Sequence, residues 1–331
     1  IYNYTVTTTG TCSQTSASGS ITVNPDATIA LASANGNQTV CQNIAIAPIL
    51  FTIGGGGTGA TASGLPAGIT GSFSAGTFTI SGSSNVPGIY PYTVTTTGTC
   101  IQASSGGTLI IKPDATIALT SGPGSDNQTV CINNTITDIT YQISGGGNGA
   151  TVSGLPSGLS GNYAAGIFTI SGTPTAIGTF NYTVNTTGSC LQTAASGTIT
   201  INGNSSLTLI SAPGTDVQTV CENTPITIIN YTVGGGGTGA IISGLPTGVT
   251  GSYAAGLVTI SGTPTATGTF NYTVTTTGFC VQTSLSGAIT VNPDATIALS
   301  SLPATANQTI CVNTPISNIA YTISGGGSGA T

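Results

Sequence analysis

The chain has 331 residues, of which seven are acidic and only Lys112 is basic, giving a net charge of −6 with no histidine. Binding to nucleic acid or to an anionic membrane surface requires clustered Lys and Arg, so this composition excludes both classes of partner. Catalysis requires a histidine, a tuned pair of carboxylates or a nucleophile with an activating base, so we also expect no enzyme activity and no cofactor.

A repeat of 90 residues organises the chain. The cysteines follow it in two series, which are Cys41, Cys131, Cys221 and Cys311 on the one hand and Cys12, Cys100, Cys190 and Cys280 on the other. A fixed period of this length indicates a tandem array of equivalent modules. We therefore predict module 1 at residues 24–112, module 2 at 113–202 and module 3 at 203–292. Residues 1–23 are expected to be the last hairpin of a truncated module, and 293–331 the first strands of another.

The predicted elements of module 2 are short β-strands. In chain order they are Asp114–Leu119, Gln128–Cys131, Ile136–Ile143, Ala150–Ser153, Ser160–Tyr163, Ile167–Ile170, Thr179–Thr187 and Thr198–Ile201. Polar and apolar residues alternate within them, and turns rich in Gly, Pro, Ser and Asn separate them. This pattern, without any helical periodicity, is typical of an immunoglobulin-like antiparallel β-sandwich. We predict an all-β chain of tandem sandwiches.

The joints between modules are short. Proline follows directly after the last strand at Pro25, Pro113 and Pro293, while Gly203 takes that place at the remaining joint. Because no flexible tract separates the modules, we expect stiff joints and a rod-like array.

Both ends of the sequence fall inside a module, so we expect the chain to be part of a longer polypeptide. No apolar stretch reaches the 18 or more residues of a membrane-spanning helix, and we expect no membrane insertion in these residues. The neighbouring repeats of the same long chain, and other copies in a filament or bundle, are the expected partners.

Three segments of module 3 resemble a known repeat type. They are Ile242–Gly251, which contains Gly-Leu-Pro-Thr-Gly, then Val258–Thr265, which contains Gly-Thr-Pro-Thr, and Gly268–Val274. They are similar to the putative-Ig repeats of giant bacterial surface adhesins, particularly those of gliding, Bacteroidetes-type bacteria, and the resemblance covers essentially the whole chain. It implies an extracellular or cell-surface role and no catalytic residues.

Eight cysteines without any histidine match no zinc-ligand spacing, so we expect disulfides and an extracellular, oxidising environment. Pairing inside a module would join Cys131 to Cys190. However, Cys131 is expected at the bottom of the sandwich and Cys190 at its top, about 30 Å apart, whereas a disulfide allows about 7 Å between Cα atoms. In a head-to-tail array the bottom of one module meets the top of the next. We therefore prefer pairing between modules, Cys41 with Cys190 and Cys131 with Cys280.

Two other pairings remain open, namely in-module pairs such as Cys131–Cys190 and neighbouring pairs such as Cys12–Cys41 or Cys100–Cys131. On the preferred scheme four cysteines need partners outside this sequence. These four are Cys12, Cys100, Cys221 and Cys311.

Two apparent ligand motifs favour no site. Gly54-x-Gly56-x-x-Gly59 matches the dinucleotide fingerprint, but strand-like residues follow it where the fingerprint needs a helix. One aspartate at a joint, such as Asp26 or Asp114, is too few for calcium, which prefers several carboxylates, so each is interpreted as capping a turn.

Two functions remain, a structural rod and a multivalent array that binds glycans or surfaces. Since most Tyr and Phe occupy core-facing positions, we favour the structural, non-catalytic rod.

Overall fold

The computed structural model describes residues 1–331 and is built from 28 strands and one short 3-10 helix, Pro303–Ala306. The strands of module 1 are β3 (Ala27–Leu31), β4 (Gln38–Cys41), β5 (Ile49–Gly55), β6 (Gly57–Ser63), β7 (Ile69–Ser74), β8 (Thr77–Gly82), β9 (Gly88–Gly98) and β10 (Ser104–Lys112). Those of module 2 are β11 (Ala115–Leu119), β12 (Asn127–Cys131), β13 (Ile139–Gly145), β14 (Gly147–Ser153), β15 (Leu159–Ala164), β16 (Ile167–Gly172), β17 (Gly178–Gly188) and β18 (Ala194–Asn202). Those of module 3 are β19 (Ser205–Leu209), β20 (Val217–Cys221), β21 (Ile229–Gly235), β22 (Gly237–Ser243), β23 (Val249–Ala254), β24 (Leu257–Gly262), β25 (Gly268–Gly278) and β26 (Ser284–Asn292).

Each module consists of two four-stranded sheets. In module 2 one sheet has the order β11-β13-β16-β15 and the other β12-β18-β17-β14, and modules 1 and 3 repeat this topology. All pairs are antiparallel except the one between the second and the last strand of each module, such as β12 with β18, which is parallel. The predicted all-β, immunoglobulin-like fold is confirmed.

The core of each module lies between its two sheets. Alternate residues of every central strand face inwards, so that Tyr182, Val184 and Thr186 of β17 are buried while Thr183 and Asn185 are not. The core of module 2 comprises Ile136, Ile139, Tyr141, Ile143, Phe168, Ile170, Tyr182, Val184, Ile199 and Ile201. Modules 1 and 3 have separate cores of 11 buried residues each. Each module thus buries apolar surface of its own, and the joints are not needed to form a core.

A pair of buried tyrosines links the two sheets of module 2. The hydroxyls of Tyr141 and Tyr182 lie 2.9 Å apart, and the Tyr182 hydroxyl donates to the Asp126 carbonyl at 3.2 Å. Burial raises the pKa of both phenols above the ordinary value of 10. In module 1, Phe51 takes the place of the first tyrosine and meets Tyr92 edge to face, with ring centroids 6.5 Å apart. A hydrogen-bonded pair therefore replaces an apolar contact at the same position.

The ends of the chain are single hairpins. Strands β1 (Tyr2–Thr7) and β2 (Ser16–Ile21) pair only with each other, as do β27 (Thr296–Leu299) and β28 (Tyr321–Ser324). Tyr4 occupies the repeat position of Tyr92 but is 51% exposed, against 3% for Tyr92. The repeat thus continues into both hairpins, where no second sheet covers its apolar face within these residues.

Candidate functional site: the joints between modules

Two disulfides connect successive modules. Cys41 is bonded to Cys190 with a sulfur–sulfur distance of 2.07 Å, and Cys131 to Cys280 at 2.08 Å, with Cα separations of 5.5 and 5.6 Å. Both pairs are separated by 149 residues along the chain. The structure therefore contains bridges between modules rather than within them.

The position of each cysteine follows from the sandwich topology. Cys41 and Cys131 are the last residues of β4 and β12, the short strands that run parallel to the last strand of their module and end beside it. Cys190 and Cys280 lie in the turns before β18 and β26, at the opposite end of the sandwich. A cysteine at the bottom of one module therefore meets a cysteine at the top of the next.

The linker at the first joint is held by backbone hydrogen bonds on both sides. Gln42 N–H donates to the Lys112 carbonyl at 2.9 Å, which fixes the chain after Cys41 to the end of module 1. Only Pro113 and Asp114 separate β10 from β11. Ala115 N–H then donates to the Leu191 carbonyl at 2.9 Å, directly beside the disulfide. The covalent bridge and the linker thus connect the two modules side by side.

Side chains complete the first joint. The Gln42 amide donates to the Asp114 carboxylate at 2.6 Å, and Leu191 N–H donates to the other carboxylate oxygen at 3.3 Å. Lys112 Nζ lies 3.5 Å from the Ser189 hydroxyl. Beside the disulfide these groups line a cleft of about 380 Å³. Because both Asp114 oxygens accept bonds from protein donors, this carboxylate acts as a bracket between modules 1 and 2 rather than as a cap of its own turn.

The glycine run after β13 packs against the same linker. A Cβ atom on Gly146 would lie 2.1 Å from the Pro113 carbonyl oxygen and 3.5 Å from the Cys190 side chain. Gly145 has a φ of +64° and approaches the Asp114 carbonyl equally closely. These glycines, which the sequence indicated only as loop residues, allow the β13–β14 turn to touch the linker.

The second joint has the same bridge and different polar contacts. Asn204 replaces the aspartate, Phe279 replaces Ser189, and Ile132 replaces Gln42. Here the Ser205 hydroxyl lies 2.5 Å from the Thr276 hydroxyl and donates to the Val281 carbonyl at 3.1 Å. The two disulfides are thus common to both joints, whereas the surrounding hydrogen bonds differ.

The other four cysteines occupy the same two repeat positions as the bridged ones. Cys12 and Cys100 lie in the turn of the last hairpin, as Cys190 does, and Cys221 and Cys311 lie at positions equivalent to Cys41. Their sulfurs are free within this chain, and Cys100 is the least exposed of them. Their expected partners in further modules remain a prediction.

The remaining candidate motifs have structural positions. Gly54, Gly56 and Gly59 lie where β5 leads directly into β6, and their counterparts Gly234 and Gly236 lie between β21 and β22, so that strand follows strand. No group of three or more Asp, Glu, Cys or His side chains lies close enough together to hold a metal ion. The model contains no helix that is long and apolar enough to cross a membrane.

No family model matches the chain. The chain is 33% identical over 156 residues, 46% of its length, to the "Serine-rich adhesin for platelets" of Staphylococcus aureus strain MRSA252, and equally to that of strain MSSA476. It spans only 11% and 7% of those two proteins. Among solved structures it is similar to the I-band fragment I67–I69 from titin, with a TM-score of 0.62 and 10% identity over 82% of this chain and 99% of that one. A variant of the same three titin domains matches with a TM-score of 0.61. The chain therefore has the fold of a tandem of Ig domains and is similar in sequence to part of a staphylococcal adhesin.

Proposed function

We propose that this chain is a stiff, non-catalytic segment of a long extracellular surface adhesin. Its Ig-like modules, of the putative-Ig type found in giant bacterial adhesins, hold a functional region of the parent protein away from the cell. The proposal rests chiefly on one observation, the disulfides that join the bottom of each module to the top of the next.

The bridges support a stiff joint for a geometric reason. Two modules connected only by a linker can swing about it, because one point of attachment leaves rotation free. Here the Lys112–Ala115 linker and the Cys41–Cys190 bridge form two attachments, and the Gln42–Asp114 hydrogen bond adds a third contact. Bending the joint must then distort the bridge or the strands that carry it.

The distribution of aromatic side chains favours a rod over an array of glycan sites. Sugar rings are typically bound on exposed aromatic rings, and this chain has no tryptophan. Of the Phe and Tyr residues in modules 1–3, only Phe73 and Phe279 are exposed, and they do not share a repeat position. A binding array would present the same exposed ring in each module.

An extracellular location is supported by the disulfides and by the similarity to a surface adhesin. Disulfides persist in oxidising surroundings outside the cytosol. The near absence of ionisable groups also removes any dependence of the fold on surface ion pairs.

Small-angle X-ray scattering tests the rod directly. A compact protein of this length has a radius of gyration of about 20 Å. Three modules in line, each about 40 Å long from its 11-residue strands, together with the terminal hairpins, give about 35–45 Å. We expect that value in oxidised protein, with a persistent rod-like scattering profile. A profile of freely jointed domains that is unchanged by reductant would contradict the proposal. Antibodies against residues 27–292 should label intact parent cells without permeabilisation.

A further inference from the structure

The two disulfide loops overlap. The first closes residues 41–190, the second closes residues 131–280, and both contain residues 131–190. Disulfides within modules would instead form separate loops in series. The overlap has a consequence that neither bridge has alone.

Between the two bridges the chain offers three parallel covalent routes. One follows the backbone from Cys41 to Cys131 and crosses the second bridge. Another crosses the first bridge and follows the backbone from Cys190 to Cys280. The third crosses both bridges and uses only the 59 residues between Cys131 and Cys190. The two ends of the chain are separated only when all three segments are cut.

We propose that this overlap makes the chain a tether that stays covalently joined end to end after any one or two backbone cuts between Cys41 and Cys280. The use of this property on a cell surface rests on the proposed adhesin function. The property itself depends only on which cysteines are bonded, so it can be tested separately.

The positions of the exposed loops fit this role. Each module has a Gly- and Pro-containing loop between its first two strands, such as Ser121–Asp126 in module 2 and Ser211–Asp216 in module 3. A side chain on Gly122, Gly124 or Gly214 would meet no atom within 4 Å. Loops of this kind are preferred sites of proteolytic cutting. Both loops lie outside residues 131–190, so the shortest route remains intact when both are cut.

Engineered cuts test the proposal on the full chain. A recognition site for a sequence-specific viral protease is inserted after Gly122, after Ile177 or after Gly214, one site for each segment. Ile177 is chosen because it is 60% exposed and lies between β16 and β17. After cleavage, free thiols are blocked by alkylation and the products are separated in denaturant without reductant.

Every single-cut and double-cut protein is expected to keep the full covalent mass, and reductant should then release the fragments. Only the triple cut should divide the protein without reductant, into two products of roughly equal size that each contain one bridge. Release of residues 1–122 by the first cut alone would overturn the proposal.

A matched control keeps the result interpretable if the triple insertion does not fold. In the variant Cys131→Ser/Cys280→Ser, the cut after Gly214 should separate the chain, because only the lost bridge spans that position. The same cut in the variant Cys41→Ser/Cys190→Ser should leave the chain joined. Equal behaviour of the two variants would also overturn the proposal, while leaving the scattering test of the rod unaffected.

Discussion

The overlapping bridges predict an unequal response to the loss of one bridge and then the other. The perturbation is the removal of one or both bridges, by Cys41→Ser/Cys190→Ser, by Cys131→Ser/Cys280→Ser, or by all four changes. The chain is stretched from its two ends in a single-molecule force experiment, with the remaining free thiols replaced by serine in every variant.

The magnitude follows from the lengths of the loops. With both bridges intact, the shortest route from Cys41 to Cys280 contains 59 residues instead of 239, so 180 residues are shielded from extension. A single bridge shields 149. The first bridge lost therefore releases about 31 residues, and the second about 149. At roughly 3.5 Å for each extended residue these releases are about 110 Å and about 520 Å.

The comparison between variants decides the matter. Either double variant should lengthen the fully stretched chain by about 110 Å and the quadruple variant by about 630 Å, measured as total contour length at high force. Bridges inside modules would each shield about 60 residues and would release equal lengths one after another. Equal increments would therefore refute the overlapping loops, even if the total agreed.

Three further predictions concern packing. Gly146→Ala places a Cβ against a linker carbonyl, so we expect a loss of about 1–3 kcal/mol in the stability of module 2, seen as a lower melting temperature by calorimetry, while Gly122→Ala, which meets open space, should change it by less than about 0.5 kcal/mol. Tyr182→Phe leaves the buried Tyr141 hydroxyl without a partner and should cost about 1–3 kcal/mol in hydrogen-exchange protection, whereas Tyr141→Phe reproduces the pairing of module 1 and should cost less than about 1 kcal/mol; equal losses would contradict this. Burial raises the pKa of Tyr92 and of the paired tyrosines above 10, so these phenols stay protonated in the folded chain when unfolded tyrosines ionise. Their contribution to stability is therefore complete below about pH 10 and is lost above it, and denaturant titrations should give a flat profile from about pH 3 to 9 followed by a decline.

The sequence was sufficient for the fold because alternation and turn residues act locally. The inward positions of Tyr182 and Val184 follow from the period of two in β17, and both are buried. The start of β18 was placed too late, at Thr198 instead of Ala194, because its small residues resemble a turn. Gly197 is small for another reason, since a Cβ there would lie 2.4 Å from the Tyr182 hydroxyl.

The chemistry of the joints was less accessible to sequence reasoning. The argument that top and bottom cysteines meet needed only the length of a strand. The bracket formed by Gln42 and Asp114 joins residues 72 apart in different modules. Neither residue has a local pattern that marks it, and Asn204 breaks the repeat at the second joint. Such contacts depend on how two finished surfaces meet, which the periodicity within one module does not encode.

The long separation of the bridged cysteines also sets an order for biosynthesis. When module 1 leaves the ribosome, Cys41 and Cys100 are both present, whereas the bonded partner, Cys190, follows 149 residues after Cys41. Oxidation of the unfolded chain would favour the nearer cysteine, because closing a shorter loop costs less entropy. Folding prevents this by holding the two thiols of one module at opposite ends of the sandwich. Each bridge therefore forms only after two successive modules have folded, and maturation of the array proceeds along the chain, one joint at a time.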